Sequence, residues 1–165
     1  MMKKKKIAVA IGIIAIVAAS YFGVRASTAT ASADDIQATI DARRALMKDN
    51  GAKMKTMGAV VEAKTGDMAA MQRLAEGLQA NAAKIPGLFP AGSSMTDFPD
   101  KTFAKPDIWV NLDDFKAAAA ALGTEAGKLS DAAKSGDMGA FAAQLDATGE
   151  KGCGGCHTKF RQKKS

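Results

Sequence analysis

The chain has one histidine, two cysteines, one tryptophan and four prolines among its 165 residues, and each scarcity removes possibilities. Two Cys and one His cannot supply the four protein ligands of a structural zinc site. No stretch alternates polar and apolar residues as a convincing strand, so the strand-then-helix setting of a thioredoxin-like dithiol is missing. Aromatic residues make up only 5%, which leaves a core built from this chain alone short of apolar volume. Acidic residues are absent from the first 33 positions; all 17 lie beyond them. With that segment set aside, 18 basic residues face 17 acidic ones and the formal charge falls from +6 to +1. The broad basic face of a nucleic-acid binder is therefore lacking. The basic tail Lys159, Arg161, Lys163 and Lys164 reads as a favourable interaction with a helix C-terminus.

Residues 1–33 have the layout of an export signal. Lys3 to Lys6 form a positive start, Ile7 to Val24 is uncharged and mostly apolar, and Ala31-Ser32-Ala33 before Asp34 has the small residues of a cleavage site. The apolar run would span about 27 Å as a helix, so an uncleaved anchor tethered to the inner membrane by the Ser/Thr/Ala tract stands as the alternative. A periplasmic location is expected in either case. Residues 34–165 then make one domain.

In that domain the apolar period is helical throughout. Ile36, Ile40, Met47, Met54, Met57 and Val61 recur at steps of three, four or seven up to about Lys64, the seam of a bundle helix. Arg43 and Asn50 fall on the same seam. A buried Arg needs an anion; the alternative is a slight rotation that lets Arg43 snorkel to solvent. Thr65-Gly66-Asp67 ends the first helix, and Asp67 can cap a second with Met68, Met71, Leu74, Leu78, Ala82 and Ile85 on one face. All four prolines lie in residues 86–106, the one long loop. From Pro106 an unbroken alternation of four and three runs through Ile108, Leu112, Phe115, Ala119, Leu122, Ala126, Leu129 and Ala133. Ser135-Gly136-Asp137-Met138 repeats the earlier break, and a fourth helix follows through Phe141 and Leu145 to Phe160. The expected fold is all-α, an antiparallel four-helix bundle with one long crossover between helices 2 and 3.

Near the end stands Cys153-Gly154-Gly155-Cys156-His157, the C-x-x-C-H attachment pattern of a c-type haem. On a helix, thiols three residues apart share a face and can each bond a vinyl group of one porphyrin. His157, four beyond Cys153, shares that face and can reach the iron. Gly154 and Gly155 keep side chains out of the way of a flat macrocycle. One covalently bound haem c per chain is the expectation. It would also fill the underfurnished core.

The haem motif ending the last of four helices resembles the class II cytochromes c, the cytochrome c′ family. So do R-R-A-L-M-K at 43 to 48, L-F-P-A-G-S-S at 88 to 94, K-P-D-I-W at 105 to 109 and C-G-G-C-H-T-K-F-R at 153 to 161. The resemblance implies that Cys153 and Cys156 form the thioethers, that His157 is the proximal iron ligand and that Arg43 lies near the haem propionates. Met47 matches the position facing the open side of the iron. There family members differ: bulky residues that do not ligate leave a five-coordinate, gas-responsive haem, and a ligating methionine gives a low-spin electron carrier. Met47 is also one of seven methionines beyond residue 33, and core filling is the ordinary role of a Met on a seam. Trp109 lies near the haem edge or in the ordinary core. Phe103 stands where the family often carries a basic residue.

Two functions follow from the resemblance. One is a carrier, not an enzyme, with Met47 as sixth ligand and a redox partner protein in the periplasm. The other is a five-coordinate binder of nitric oxide or similar small gases. A haem-free helical module with a Cys153–Cys156 disulfide is the reading from another class. The resemblance also implies a homodimer through the first two helices, which small residues such as Gly58 and Ala59 permit.

Overall fold

The computed structural model of the chain describes residues 32–163. The leader assigned to residues 1–33 lies outside the described residues, apart from Ser32 and Ala33. Among the described residues no helix is long and apolar enough to cross a membrane.

Caps set the helix boundaries close to where the turn residues predict them. Helix α1 (Ala33–Ala63) opens with a capping box: Ser32 Oγ accepts from the Asp35 N–H, and the Asp35 carboxylate accepts from the Ser32 N–H. It closes on Lys64 in the left-handed region. Asp67 then caps α2 (Met68–Lys84) by accepting from the Ala69 N–H at 2.9 Å. The second Gly-Asp-Met break shares the aspartate cap but differs at the stop, which is the glycine itself and not a residue before it. Gly136, at φ 75°, ends the long helix α4 (Leu112–Ser135), and Asp137 caps α5 (Met138–Ala147). A 3-10 turn (Pro86–Leu88) opens the crossover, which ends in the short α3 (Asp107–Val110).

Two departures from the predicted helices shape the molecule. The third helix is not continuous, because Asn111 at φ −122° and ψ 51° separates α3 from α4. Its side-chain Nδ2 and its backbone N–H both donate to the Asp107 carbonyl, an alternative to helix propagation that asparagine favours. Ile108 and Phe115 stay buried across the break, whereas Leu112, predicted on the seam, is 37% exposed. The fourth helix is also interrupted: α5 runs into a π-helical stretch (Thr148–Gly154) and then α6 (Gly155–Phe160). The widened turns, of a kind frequent at functional sites, include Cys153.

The bundle is formed by α1, α2, α4 and the composite α5–π–α6. Its buried seams follow the periodicity with Met71, Leu78 and Ala82 on α2, Phe115 to Ala133 on α4, and Phe141, Leu145 and Phe160 on the last; on α1 Ile40 and Met57 are buried, whereas Ile36, Met47, Met54 and Val61 are half-buried. Arg43 and Asn50 are buried as well. The last helix is held at both ends. Thr148, fully buried, donates to the Gln144 carbonyl at 2.8 Å, and Glu125 on α4 accepts from Gln144 Nε2 at 2.7 Å. At the far end Arg161 pairs with Ala104 in an isolated antiparallel bridge, flanked by Lys105 N–H to Phe160 O and Gln162 N–H to Phe103 O.

Gly152 sets how closely the haem motif approaches α4. A Cβ there would lie 2.9 Å from Leu122 Cδ1 and 3.3 Å from Leu122 Cα, and a backbone atom cannot swing aside. Gly152→Ala is expected to push the two segments apart and to lower holoprotein stability by about 1–3 kcal/mol, the usual range for overpacking. Urea unfolding followed by far-UV circular dichroism measures it; an unchanged midpoint would mean that this contact is not tight.

Candidate haem-binding site

A cavity of about 650 Å³ opens between α1, α4 and the last helix. Its size lies in the range of cofactor pockets, about 300–1,000 Å³. Arg43, Met47, Asn50 and Met54 line it from α1, Phe115 and Leu122 from α4, and Gly152, Cys153, Cys156, His157 and Phe160 from the last helix. The structure thus brings together all five residues that the sequence assigns to the haem: Arg43, Met47, Cys153, Cys156 and His157.

Cys153 and Cys156 are half-buried and carry free thiols, so the predicted alternative of a disulfide between them is not what the structure shows. Burial raises the pKa of both, that of Cys156 to about 11, with Cys153 adding to the effect there. Before any haem is attached they are therefore neutral thiols at pH 7, poor thiolate nucleophiles and poorly suited to dithiol redox exchange. His157 is shifted the other way: burial first, and the nearby Arg161 second, lower its pKa. A neutral imidazole with a free lone pair is the form that binds a metal.

Arg43 is only 3% exposed, which overturns the alternative in which it snorkels to solvent. Its Nη1 donates to Ser93 Oγ at 2.8 Å and to the Leu88 carbonyl at 3.4 Å. Its Nη2 donates to the Ser93 carbonyl at 2.6 Å and to Thr102 Oγ1 at 2.7 Å. The guanidinium carbon stands 4.6 Å over the Phe89 ring. Burial lowers its pKa to about 10, so the group remains a cation with neutral oxygens for partners. Arg44, Lys48 and Arg161 also line the cavity, and no carboxylate does. A buried cation without a counter-charge is unfavourable. The donor set therefore fits an occupant that brings its own negative charges, as the two propionates of a haem do.

Further observations support the fit. Asn50 Nδ2 lies buried at the cavity wall without a hydrogen-bond partner, and a Cβ on its neighbour Gly51 would meet nothing within 4 Å. Phe160 packs edge-on against Phe115, with ring centroids 5.4 Å apart, and forms part of the floor. Trp109 is a different matter. It lies away from the cavity lining and donates its Nε1–H to the carbonyls of Phe89 and Pro90, clamping the crossover onto α3. Phe103 lines the mouth at 40% exposure.

Ser93 and Thr102, the hydroxyls that hold Arg43, carry no clear mark in the sequence. The one available signal is a serine pair directly after Gly92, and nothing local links it to a helix fifty residues earlier.

A helical bundle with a cysteine-cysteine-histidine cluster in its last helix, facing an apolar, cation-lined cavity, defines a protein that holds a covalently attached haem. Residues 38–161 match the family model described as Cytochrome C′; the chain belongs to that family and binds haem c. It is 34% identical over 150 residues to cytochrome c-556 of Agrobacterium fabrum, covering 90% of this chain and 95% of that protein. Cytochrome c′ of Pararhodospirillum photometricum is 32% identical over 126 residues, covering 76% and 98% respectively. Among solved structures, a cytochrome c′ described as having an unusual ligand-controlled dimer dissociation superposes with a TM-score of 0.71 at 25% identity, covering 82% of this chain and all of that one.

Proposed function

We propose that the protein is an exported electron carrier, not an enzyme. In this reading Cys153 and Cys156 hold the haem, His157 and Met47 bind its iron from the two sides, and Arg43 faces a propionate. The observation that carries it is the presence of Met47, from α1, in the same cavity as His157, from the last helix. The haem supplies a one-electron couple whose potential is raised by a His/Met ligand pair and by burial. The chain's part is to hold neutral ligands on two rigid helices, so that little reorganises when the charge changes. Arg43 and the basic rim favour the reduced, less positive state. The similarity to proteins named cytochrome c-556 supports this reading.

The second reading, a five-coordinate site in which Met47 packs over the iron and admits nitric oxide or another small gas, is supported by the comparable similarity to proteins named cytochrome c′. An optical spectrum of ferric holoprotein separates the two. The carrier predicts a low-spin spectrum with a sulfur-to-iron charge-transfer band, lost in Met47→Ala. A high-spin spectrum that Met47→Ala leaves unchanged would sink the carrier reading and support the gas binder.

Export to the periplasm, where a redox partner protein would meet it, rests on the Lys3–Lys6 and Ile7–Val24 pattern and on haem attachment of this kind being completed outside the cytoplasm. Self-association through α1 and α2 is supported by open space at Gly58 and by the dimer named for the structural relative.

A further inference from the structure

We propose that Asn50 is the hydrogen-bond donor for a small acceptor ligand held on the α1 side of the haem, with its amide oriented for that task by Asn81 and Asp49. Asn50 is 95% buried and lines the cavity less than one helical turn beyond Met47. Its Oδ1 accepts from Asn81 Nδ2 at 2.8 Å, and the same Asn81 Nδ2 donates to the Asp49 carboxylate at 2.7 Å. Lys53 also bonds that carboxylate.

The chain of bonds has only one consistent direction. Asp49 is held below the usual carboxylate range by its bonds from Lys53 and Asn81, so at neutral pH it can only accept. Asn81 must therefore present its NH₂ to Asp49, and that NH₂ in turn claims the oxygen of Asn50. The Asn50 NH₂ is left as the end of the relay. No group of the described chain accepts from it. Burying an unmet amide donor is unfavourable, and a leucine at this seam position would fill the slot without that penalty. The donor is satisfied when the cavity holds an acceptor.

That acceptor differs from the one Arg43 would meet. The two residues are seven positions apart on α1, about 10 Å along its axis, with Met47 between them. Arg43 serves the loop side, where Ser93 and Thr102 lie. Asn50 serves a ligand one turn beyond Met47. The inference rests on the haem of this family and not on ligation by Met47.

The test uses holoprotein carrying Met47→Ala, which leaves the iron open on this side whether or not Met47 is a ligand. Fluoride, a strong hydrogen-bond acceptor, is titrated into the ferric protein and followed by its optical spectrum. Adding Asn50→Leu is expected to weaken fluoride binding about tenfold or more, the weight of one hydrogen bond to a charged acceptor. Asn50→Asp keeps the shape, replaces donor by carboxylate and should weaken it at least as much, so it serves where the leucine variant yields no holoprotein. Asn81→Leu, which frees the Asn50 amide to flip, should weaken binding by a smaller factor. Fluoride affinity equal to that of the Met47→Ala parent in the Asn50 variants overturns the proposal. The outcome is independent of the spectrum that tests Met47 as a ligand, so either reading can fail alone.

Discussion

A chain in which Cys153 and Cys156 are both replaced by serine is expected to lose the packed bundle together with the haem. The cavity measures about 650 Å³, and a dry void of that size would cost on the order of 15 kcal/mol at about 24 cal/mol per Å³. Water entering through the basic mouth relieves part of this. Even a third of the cost, about 5 kcal/mol, is comparable with the whole stability of a small domain. The aromatic side chains that could collapse inward are few, and Phe115 and Phe160 are already engaged with each other. The double variant should therefore keep much of its far-UV helical signal while losing its sharp thermal transition and gaining binding of an apolar dye. His157→Ala should lower the yield of holoprotein, because it removes the imidazole that, as proposed above, would hold the haem iron. A haem-free double variant with a cooperative melt and native near-UV spectrum would contradict a core that depends on the haem for its volume.

Arg43→Met has the second largest expected effect. The guanidinium ties the crossover loop to α1 from inside, through Ser93, Thr102 and Leu88. Methionine has similar reach but no donors, and it would leave the Ser93 carbonyl and the Thr102 hydroxyl without the cation they face. Bonds to a charged group are worth about 1.5–3 kcal/mol each and are not additive, so a loss of about 3–5 kcal/mol is expected, the scale of breaking a buried ionic arrangement. Urea unfolding of the holoprotein measures this. On the proposal that Arg43 faces a propionate, the reduction potential should fall as well, because removing a buried cation there would favour the oxidised, more positive iron. Arg43→Lys separates the two effects. It keeps the charge and should largely hold the potential, but it cannot fork between two hydroxyls and should still lose stability. A potential that stays constant in Arg43→Met would place the haem's charged edge away from this residue.

The parts of the molecule legible in the sequence share one property: they depend on neighbours within a turn or two. Asp67 and Asp137 cap helices by reaching backbone N–H groups two or three residues on. The seams of α1, α2 and α4 follow from a period of three and four. Cys153, Cys156 and His157 form one cluster because their close spacing, across the junction of the π-helical turns and α6, places them there. The two helices that break against their own periodicity do so for the complementary reason. The apolar alternation from Ile108 to Ala133 is unbroken, yet the chain leaves the helix at Asn111, because an Asn side chain satisfies the Asp107 carbonyl while Trp109 is held by loop carbonyls about twenty residues earlier. The π-helical turns at Thr148–Gly154 likewise depend on Thr148 and Gly152 meeting α4, which no pattern within the segment contains.

Alone, the sequence determined the class of the protein: four amphipathic helices, a covalent haem in the last of them, and two polar residues intruding on the first seam. The tertiary structure decided what those intrusions are. Arg43 became an internal clasp because Ser93 and Thr102, fifty and fifty-nine residues away, close over it and bury it. Asn50 became an aimed donor because Asp49 and Asn81, on two different helices, leave its amide one direction to point. The physical reason is the same in both cases. A buried polar group is defined by the full set of its hydrogen-bond partners, and for these two that set is assembled only when the helices pack.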